Sequence, residues 1–284
     1  MITGTLVLVG TPIGNLGDLS PRAVEALRRA DLIVCEDTRR TGRLLQAAGV
    51  KAKALLAAHD HNEVAQIGSV LERLRAGDRV AIVTDAGMPG ISDPGERMVR
   101  AAADAGAEIV VVPGPSAAVA ALVVSGLPAG RFAFEGFLPR SGSGRTERLA
   151  AIAAERRTIV LYEAPHRLAR TLANLAETVG GGRRVAIARE LTKLHEEVWR
   201  GTLDDAIAHV DAVEPRGEHV IVLDGAPASE PASDDELRGA LRRLLADGAS
   251  TRDAVAEVAA EFDVPKRRVY ALATAEARPG ARPG

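Results

Sequence analysis

The sequence has one cysteine, Cys35, in 284 residues. A lone thiol excludes an intramolecular disulfide and any multi-cysteine zinc site, and it fits a reducing compartment. Aromatic residues make up only 2%, too few for the stacking platforms of single-strand-binding proteins. An excess of one charge sign is missing too: 36 basic and 38 acidic side chains leave a formal charge of −2. Without a cationic field, any contact with nucleic acid must come from a local basic patch. Lysine occurs only at Lys51, Lys53, Lys193 and Lys266, so the basic character is almost entirely arginine. No apolar run approaches the roughly 18 residues that cross a bilayer. No basic stretch precedes the first apolar run, so the expectation is a cytoplasmic protein without a membrane partner.

What is present suits a globular α/β chain. Hydrophobic residues at 46% and charged residues at 26% exclude a disordered chain. Short apolar runs alternate with helical patterns. Residues 6–9 read as a buried strand, and Ser20-Pro21 as the cap and first position of a helix. Further strands are expected at 32–35, 80–83 and 109–112, with a helix at 94–105 and another at 117–124 capped by Ser116. Residues 126–143 change character and end in a Gly/Ser-rich piece read as a mobile loop. Beyond it come a helix to about 154, a strand at 158–162, a helix at 166–179, and strands at 184–188 and 219–223. The reading is an α/β fold with mainly parallel pairing: a domain at 1–115, a second at 116–225, a linker at 225–233 and a small helical appendix at 234–277.

The chemistry-bearing residues cluster at strand ends. TPIGN at 11–15 follows the first strand, but Pro12 and the glycine spacing do not match a dinucleotide fingerprint. A plain tight turn explains this segment equally well. CEDTR at 35–39 places carboxylates after the second strand; ribose binding and a solvated ion-pair loop both remain open. HDHN at 59–62 lacks further metal ligands and reads as a polar loop, so no metal is expected. TDAGMPGISDPG at 84–95 packs three glycines, two prolines and two aspartates behind a buried strand. Such backbone is kept where something must approach the main chain closely. PGPSA at 113–117 repeats the device, and the pair of loops predicts a small-molecule pocket. In the second half, YEAPHR at 162–167 and ARELTK at 188–193 mix charges with hydroxyls behind strands. A surface ion-pair cluster explains either one; together with the first-half loops they suggest a cleft between two lobes.

These motifs, with FEGFLPR at 134–140, occur in an order that resembles the tetrapyrrole methylase superfamily, in its branch of small-subunit ribosomal RNA methyltransferases. The resemblance runs from about residue 6 to 223. It implies two α/β domains around an interdomain cleft that holds S-adenosylmethionine. It also implies a homodimer, and as acceptor the ribose 2′-hydroxyl of a cytidine in the decoding region of 16S rRNA in the small ribosomal subunit. Position by position, it assigns the methyl donor to Pro12, Ile13, Gly87, Met88, Ile91, Ser116, Ala117, Tyr162 and Leu191. Tetrapyrrole-modifying members carry Gly-Asp-Pro where this chain has Gly87-Met88-Pro89, so a carboxylate is missing there, and Asp85 is the candidate to take over its polar contact with the donor.

A ribose hydroxyl is a weak nucleophile, and a general base should assist it. Glu190 and then Glu163 are the candidates, with Lys193 as orienter or as a base of lowered pKa. RNA contacts are expected from Arg39, Arg40, Arg140, Arg145 and Arg167, with Arg148 and the 266–268 cluster nearby. Two rivals remain open from residues alone: a related methylase acting on a small molecule or a protein side chain, and a non-catalytic RNA-binding module.

Overall fold

The computed structural model describes residues 2–59, 61–227, 232–262 and 264–276. Asp60 of the HDHN motif, residues 228–231 of the expected linker and Ala277 at the end of the appendix lie outside them. The chain divides into two compact units, Met1–Ala226 and Pro227–Gly284.

The first unit begins with β1 (Thr5–Val9), α1 (Pro21–Arg29), β2 (Leu32–Cys35), α2 (Thr38–Ala47) and β3 (Leu55–Ala57). It continues with α3 (Glu63–Arg75), β4 (Arg79–Ile82), α4 (Glu96–Asp104) and β5 (Glu108–Val112). The five strands pair in the order β3-β2-β4-β1-β5, all parallel. Both faces of such a sheet must be covered, because its side chains alternate across it. In β1, Val7 and Val9 pack with Ala23 and Leu27 of α1, whereas Leu6 packs on the other face with Met98 and Ala102 of α4. Fully burying one such aliphatic side chain contributes about 1.5–3 kcal/mol. The α1 start behaves as its sequence predicts: the Ser20 side chain accepts from the Ala23 N–H and Pro21 opens the helix.

This topology creates the site. Neighbouring strands β1 and β4 send their connections to opposite faces of the sheet, since α1 and α4 cover different sides. A crevice must therefore open outside their carboxyl ends. A short bridge between Thr11 and Gly87 crosses it.

The second half of this unit contains α5 (Ala117–Ser125), β6 (Phe132–Phe137), α6 (Ser143–Ala154), β7 (Thr158–Glu163) and α7 (Pro165–Val179). It ends with β8 (Arg184–Arg189), β9 (Glu197–Thr202), α8 (Leu203–Ala212) and β10 (His219–Leu223). Its sheet runs β6-β7-β10-β8-β9. Parallel pairing, general in the first sheet, gives way here: only β6 and β7 are parallel, and the other three pairings are antiparallel. Strand β9, hairpinned onto β8, mixes polar and apolar residues without a regular period, which hid it in the sequence. Likewise β6 occupies part of the segment whose character seemed irregular, and α6 starts inside the supposed mobile loop. One face of this sheet packs on α6, α7 and α8, the other on α5. Ile13, from the loop after β1, inserts into the α5-side core beside Leu191 and Val220.

The second unit is three helices, α9 (Asp234–Ala246), α10 (Thr251–Glu261) and α11 (Lys266–Glu276). They share a core of Leu237, Leu241, Val255, Val258 and Val269. Capping is local: Ser233 and Glu236 form a reciprocal box at α9, and Ser250 accepts from Asp253 N–H at α10. Among the described residues, no helix is long and apolar enough to cross a membrane.

Candidate active site

Three loops of the first sheet and four segments of the second meet around a cavity of about 270 Å³. Ile13, Gly87, Met88 and Ile91 supply one wall; Ser116, Ala117, Tyr162 and Leu191 supply the other. Eight of the ten residues expected to hold the donor thus line this cavity. Pro12 and Asp85 do not. They line an adjoining cavity of about 310 Å³ instead, and Asp85 is turned to an ion pair with Arg40 at 3.3 Å. Burial pushes the Asp85 carboxyl up, against the pull of Arg40.

The irregular loops are fixed by close packing. A Cβ on Gly10 would lie 2.5 Å from the Gly114 nitrogen and 2.7 Å from the Met88 sulfur, so the strand end has room only for glycine. Gly87 holds φ at +85°, and a Cβ there would meet Ile13 and Pro115 at 3.6 Å. The three non-glycine residues with left-handed backbone among those described are Ser92, Glu190 and Thr192, at φ 60°, 48° and 67°. Each such conformation costs on the order of 1–3 kcal/mol and persists only where surrounding structure imposes it. Ser92 and Glu190 line the cavity. Thr192 accepts from the Asn15 N–H at 3.2 Å, which ties the loop after β1 to the loop after β8.

Tyr162 shapes the apolar side. Its ring packs edge-on against Phe134 at 5.0 Å and against Phe137 at 5.6 Å. Its hydroxyl accepts from the Ala118 N–H at 3.3 Å, and burial pushes its pKa up. Ser116 does occupy the cap position of α5, but its side chain makes no capping bond.

All three expected catalytic residues line the cavity, in different states. Glu163 is buried and fully committed: Oε2 accepts from Thr171 at 2.6 Å, while Oε1 accepts from the Ala164 N–H and faces Arg167 at 3.1 Å. Glu190 and Lys193 form a pair at 2.8 Å, and Lys193 also donates to Glu218 at 2.8 Å. Burial raises the Glu190 carboxyl, but the Lys193 ammonium and the Glu218 N–H outweigh it and hold the pKa below the ordinary glutamate value. Burial likewise lowers the Lys193 ammonium, and its two carboxylate partners more than restore it, so its pKa is raised. The expectation of a lowered-pKa lysine base is therefore corrected: two anions hold Lys193 protonated.

Glu218 and His219 line the same cavity and went unnoticed in the sequence, where they merged with the start of a strand. The signal was a glycine before a carboxylate at a strand start: Gly217 has φ +80°, and a Cβ there would meet Glu190 at 2.5 Å. His219 is buried, and desolvation lowers its pKa.

The arginines divide. Arg39 and Arg40 are exposed at the start of α2, Arg39 pairing with Asp37 at 3.1 Å. Hydrogen bonds from the Arg39 guanidinium and backbone N–H hold Asp37 at about 2. Arg140 is exposed and Arg148 pairs with Glu135. Arg145 is a correction: it is buried, and its guanidinium donates to Asn174, to Thr171 and to the Pro139 carbonyl, so it cannot meet RNA. Arg167 is largely covered, donating to the Leu138 carbonyl. In the second unit Lys266 and Arg267 are exposed, whereas Arg268 is tied to Asp234 at 2.7 Å. His59 and His61 lie edge-on at 6.0 Å, and among the described residues no group of three His, Cys, Asp or Glu could hold a metal ion.

The family model for tetrapyrrole (corrin/porphyrin) methylases matches residues 5–207, and that for the RsmI C-terminal HTH domain matches 231–277. The chain is 48% identical over 271 residues to a ribosomal RNA small subunit methyltransferase I of Synechocystis, covering 95% of this chain and 97% of that one. A Mycobacterium tuberculosis protein of the same name is 44% identical over 273 residues, covering 95% and 94%. Among solved structures, the fold is similar to the methyltransferase CobJ, with TM-score 0.61 and 22% identity over 81% of this chain and 97% of that one. It is also similar to a uroporphyrin-III C-methyltransferase from Thermus thermophilus complexed with S-adenosyl homocysteine, with TM-score 0.55 and 19% identity over 78% and 97%.

Proposed function

This chain belongs to the tetrapyrrole (corrin/porphyrin) methylase family, and from that premise we propose that it methylates the ribose 2′-hydroxyl of a cytidine in small-subunit ribosomal RNA, with S-adenosylmethionine as donor. The observation that carries the reading is the charged group Glu190–Lys193–Glu218, set on the wall of an apolar cavity that loops from both sheets enclose. The names of the relatives support the acceptor class.

The cavity fits such a donor. Its lining is mainly apolar, glycine at 87 leaves open the space that a Cβ would fill, and the Tyr162 hydroxyl and backbone groups offer polar contacts. Ile13, Gly87, Met88, Ile91, Ala117 and Leu191 would hold it. When bound, the donor supplies an electrophilic methyl carbon whose bond to sulfur breaks as its bond to the ribose oxygen forms. The protein aligns the reactants at about 3–3.5 Å and excludes water. Glu190 is ionised at neutral pH because Lys193 and the Glu218 N–H stabilise the carboxylate. Its Oε1 carries both of those bonds, which leaves Oε2 to take the hydroxyl proton. Lys193 keeps the carboxylate in place. Glu163, with both oxygens engaged, holds α7 against β7 and ranks below Glu190 as base.

A homodimer in the cytoplasm belongs to this reading; Val119 and Val123 on α5 supply exposed apolar surface that a second copy would cover. Light scattering would measure the dimer mass. The function itself is tested by incubating the protein with methyl-labelled donor and unmodified small subunits, then digesting the RNA. Label recovered as a 2′-O-methylated cytidine is expected; label only on a base, or none, refutes the proposal.

A further inference from the structure

Beside the apolar cavity lies the second one, of different character. The two share four wall residues: Ile13, Ala86, Lys193 and Glu218. The second cavity is also lined by Arg40 and Arg43 of α2, three residues apart on one helix face. Arg40 is held by Asp85 at 3.3 Å. Arg43 is exposed and has no hydrogen-bond or ion-pair partner among the described residues. Two guanidiniums facing one small cavity suit an anion with several oxygens, which they bind in a planar fork.

Chemistry then sets the order of the parts, provided that the proposed ribose methylation holds. The attacked oxygen must stand close to the donor's methyl carbon, so the acceptor sugar has to reach the shared wall beside Lys193 and Glu218. The remainder of the nucleotide must occupy the compartment that the donor leaves free. A 2′-hydroxyl sits one ribose carbon from the 3′-phosphate, so a sugar at the shared wall brings that phosphate into the second cavity. We infer that the second cavity is the acceptor subsite, in which Arg40 and Arg43 clamp the RNA phosphate 3′ of the target nucleotide. Asp85 holds Arg40 in the cavity before RNA arrives and yields it to the phosphate. This assigns a role to Arg43, which no motif marked, and it explains why Asp85 faces away from the donor cavity.

The experiment uses full-length protein with Arg40→Gln and Arg43→Gln, and Arg100→Gln as a control arginine on α4. Three quantities are read: affinity for unmodified small subunits by filter binding over a salt series, KM for subunits, and affinity for S-adenosylhomocysteine by calorimetry. Each subsite variant should weaken subunit binding, raise KM about tenfold and lower the log–log salt slope, and the Arg40→Gln/Arg43→Gln double variant should lower that slope by about 0.7–0.9, the value for one phosphate no longer neutralised. Affinity for S-adenosylhomocysteine and the control should match wild type. A salt slope and KM unchanged in Arg43→Gln overturn the subsite even though the protein methylates ribose. Wild-type protein that binds subunits but puts no methyl on ribose refutes the proposed function instead. The binding series then still decides whether these arginines hold phosphate.

Discussion

The close approach at the end of β1 can be tested by adding single methyl groups at three glycines. At Gly10, a Cβ would lie 2.5 and 2.6 Å from backbone atoms of Gly114. Backbone cannot swing aside as a flexible side chain can, so the turn after β5 must shift. The cost sits at the upper end for overpacking, about 3 kcal/mol. At Gly87 the neighbours stand at ordinary distances, 3.6 Å to Ile13 and Pro115. The penalty there is the left-handed backbone, roughly 1–2 kcal/mol, partly offset by about 0.4–1 kcal/mol from the reduced freedom of the unfolded chain. A net destabilisation of about 1 kcal/mol remains. At Gly42, inside α2, nothing lies within 4 Å of an added Cβ, and helix propensity favours alanine by about 1 kcal/mol. Urea unfolding of Gly10→Ala, Gly87→Ala and Gly42→Ala should therefore rank strongly destabilised, mildly destabilised and stabilised, with unchanged slope. Calorimetry with S-adenosylhomocysteine should show binding abolished in the first, weakened in the second and unaltered in the third. If Gly10→Ala unfolds at the same urea concentration as Gly42→Ala, the close approach of the two turns is wrong, and the cavity geometry built on it falls.

Replacing Glu190 with glutamine should lower kcat about 100-fold, the lower end for general-base catalysis, with donor affinity unchanged; single-turnover rates close to wild type would remove Glu190 as base. The Glu190–Lys193–Glu218 network also has a pH signature. The Glu190 pKa is depressed on folding, so its stabilisation is present above the ordinary glutamate value and is lost as pH falls through the folded value. The Lys193 pKa is raised, so its stabilisation is full below the ordinary lysine value and is lost as pH rises through the folded one. Urea midpoints of wild type and Lys193→Met should hence differ most between these limits and converge toward both extremes; a constant gap would contradict the network. Arg145→Gln should cost about 2 kcal/mol through its buried hydrogen bonds without altering the salt slope of subunit binding, and a reduced slope would return this residue to the interface. Burial raises the Cys35 thiol, so mass spectrometry after iodoacetamide treatment of folded protein should find it unmodified, and rapid labelling would show that β2 is not covered as described.

Much of the site was legible because strand ends announce themselves. The runs at 6–9, 80–83 and 109–112 are continuous and apolar, and each stops at glycine, threonine or proline. The dense Gly/Pro loop at 84–95 and the turn at 113–115 marked where the main chain is approached closely. The second sheet was less legible. Strand β9 is half exposed and mixes polar and apolar residues without alternation, and Gly136 breaks the register of β6. Neither therefore presents the uninterrupted run by which a buried strand is recognised.

Arg145 shows the other limit. In sequence it sits in a Ser/Gly-rich stretch that reads as exposed, yet Asn174 and Thr171, a helix away, draw its guanidinium inside. Glu218, Arg43 and the partnering of Lys193 were equally hidden, since each depends on a neighbour distant in the chain. The sequence by itself determined the alternating α/β pattern, the apolar strand interiors and the glycine corners, because these are local demands of backbone and burial. Only the tertiary structure decided which corners share a cavity, which arginines face solvent and which carboxylate meets the lysine. Charge and proximity are properties of places in space, and folding brings to one place groups that the chain keeps far apart.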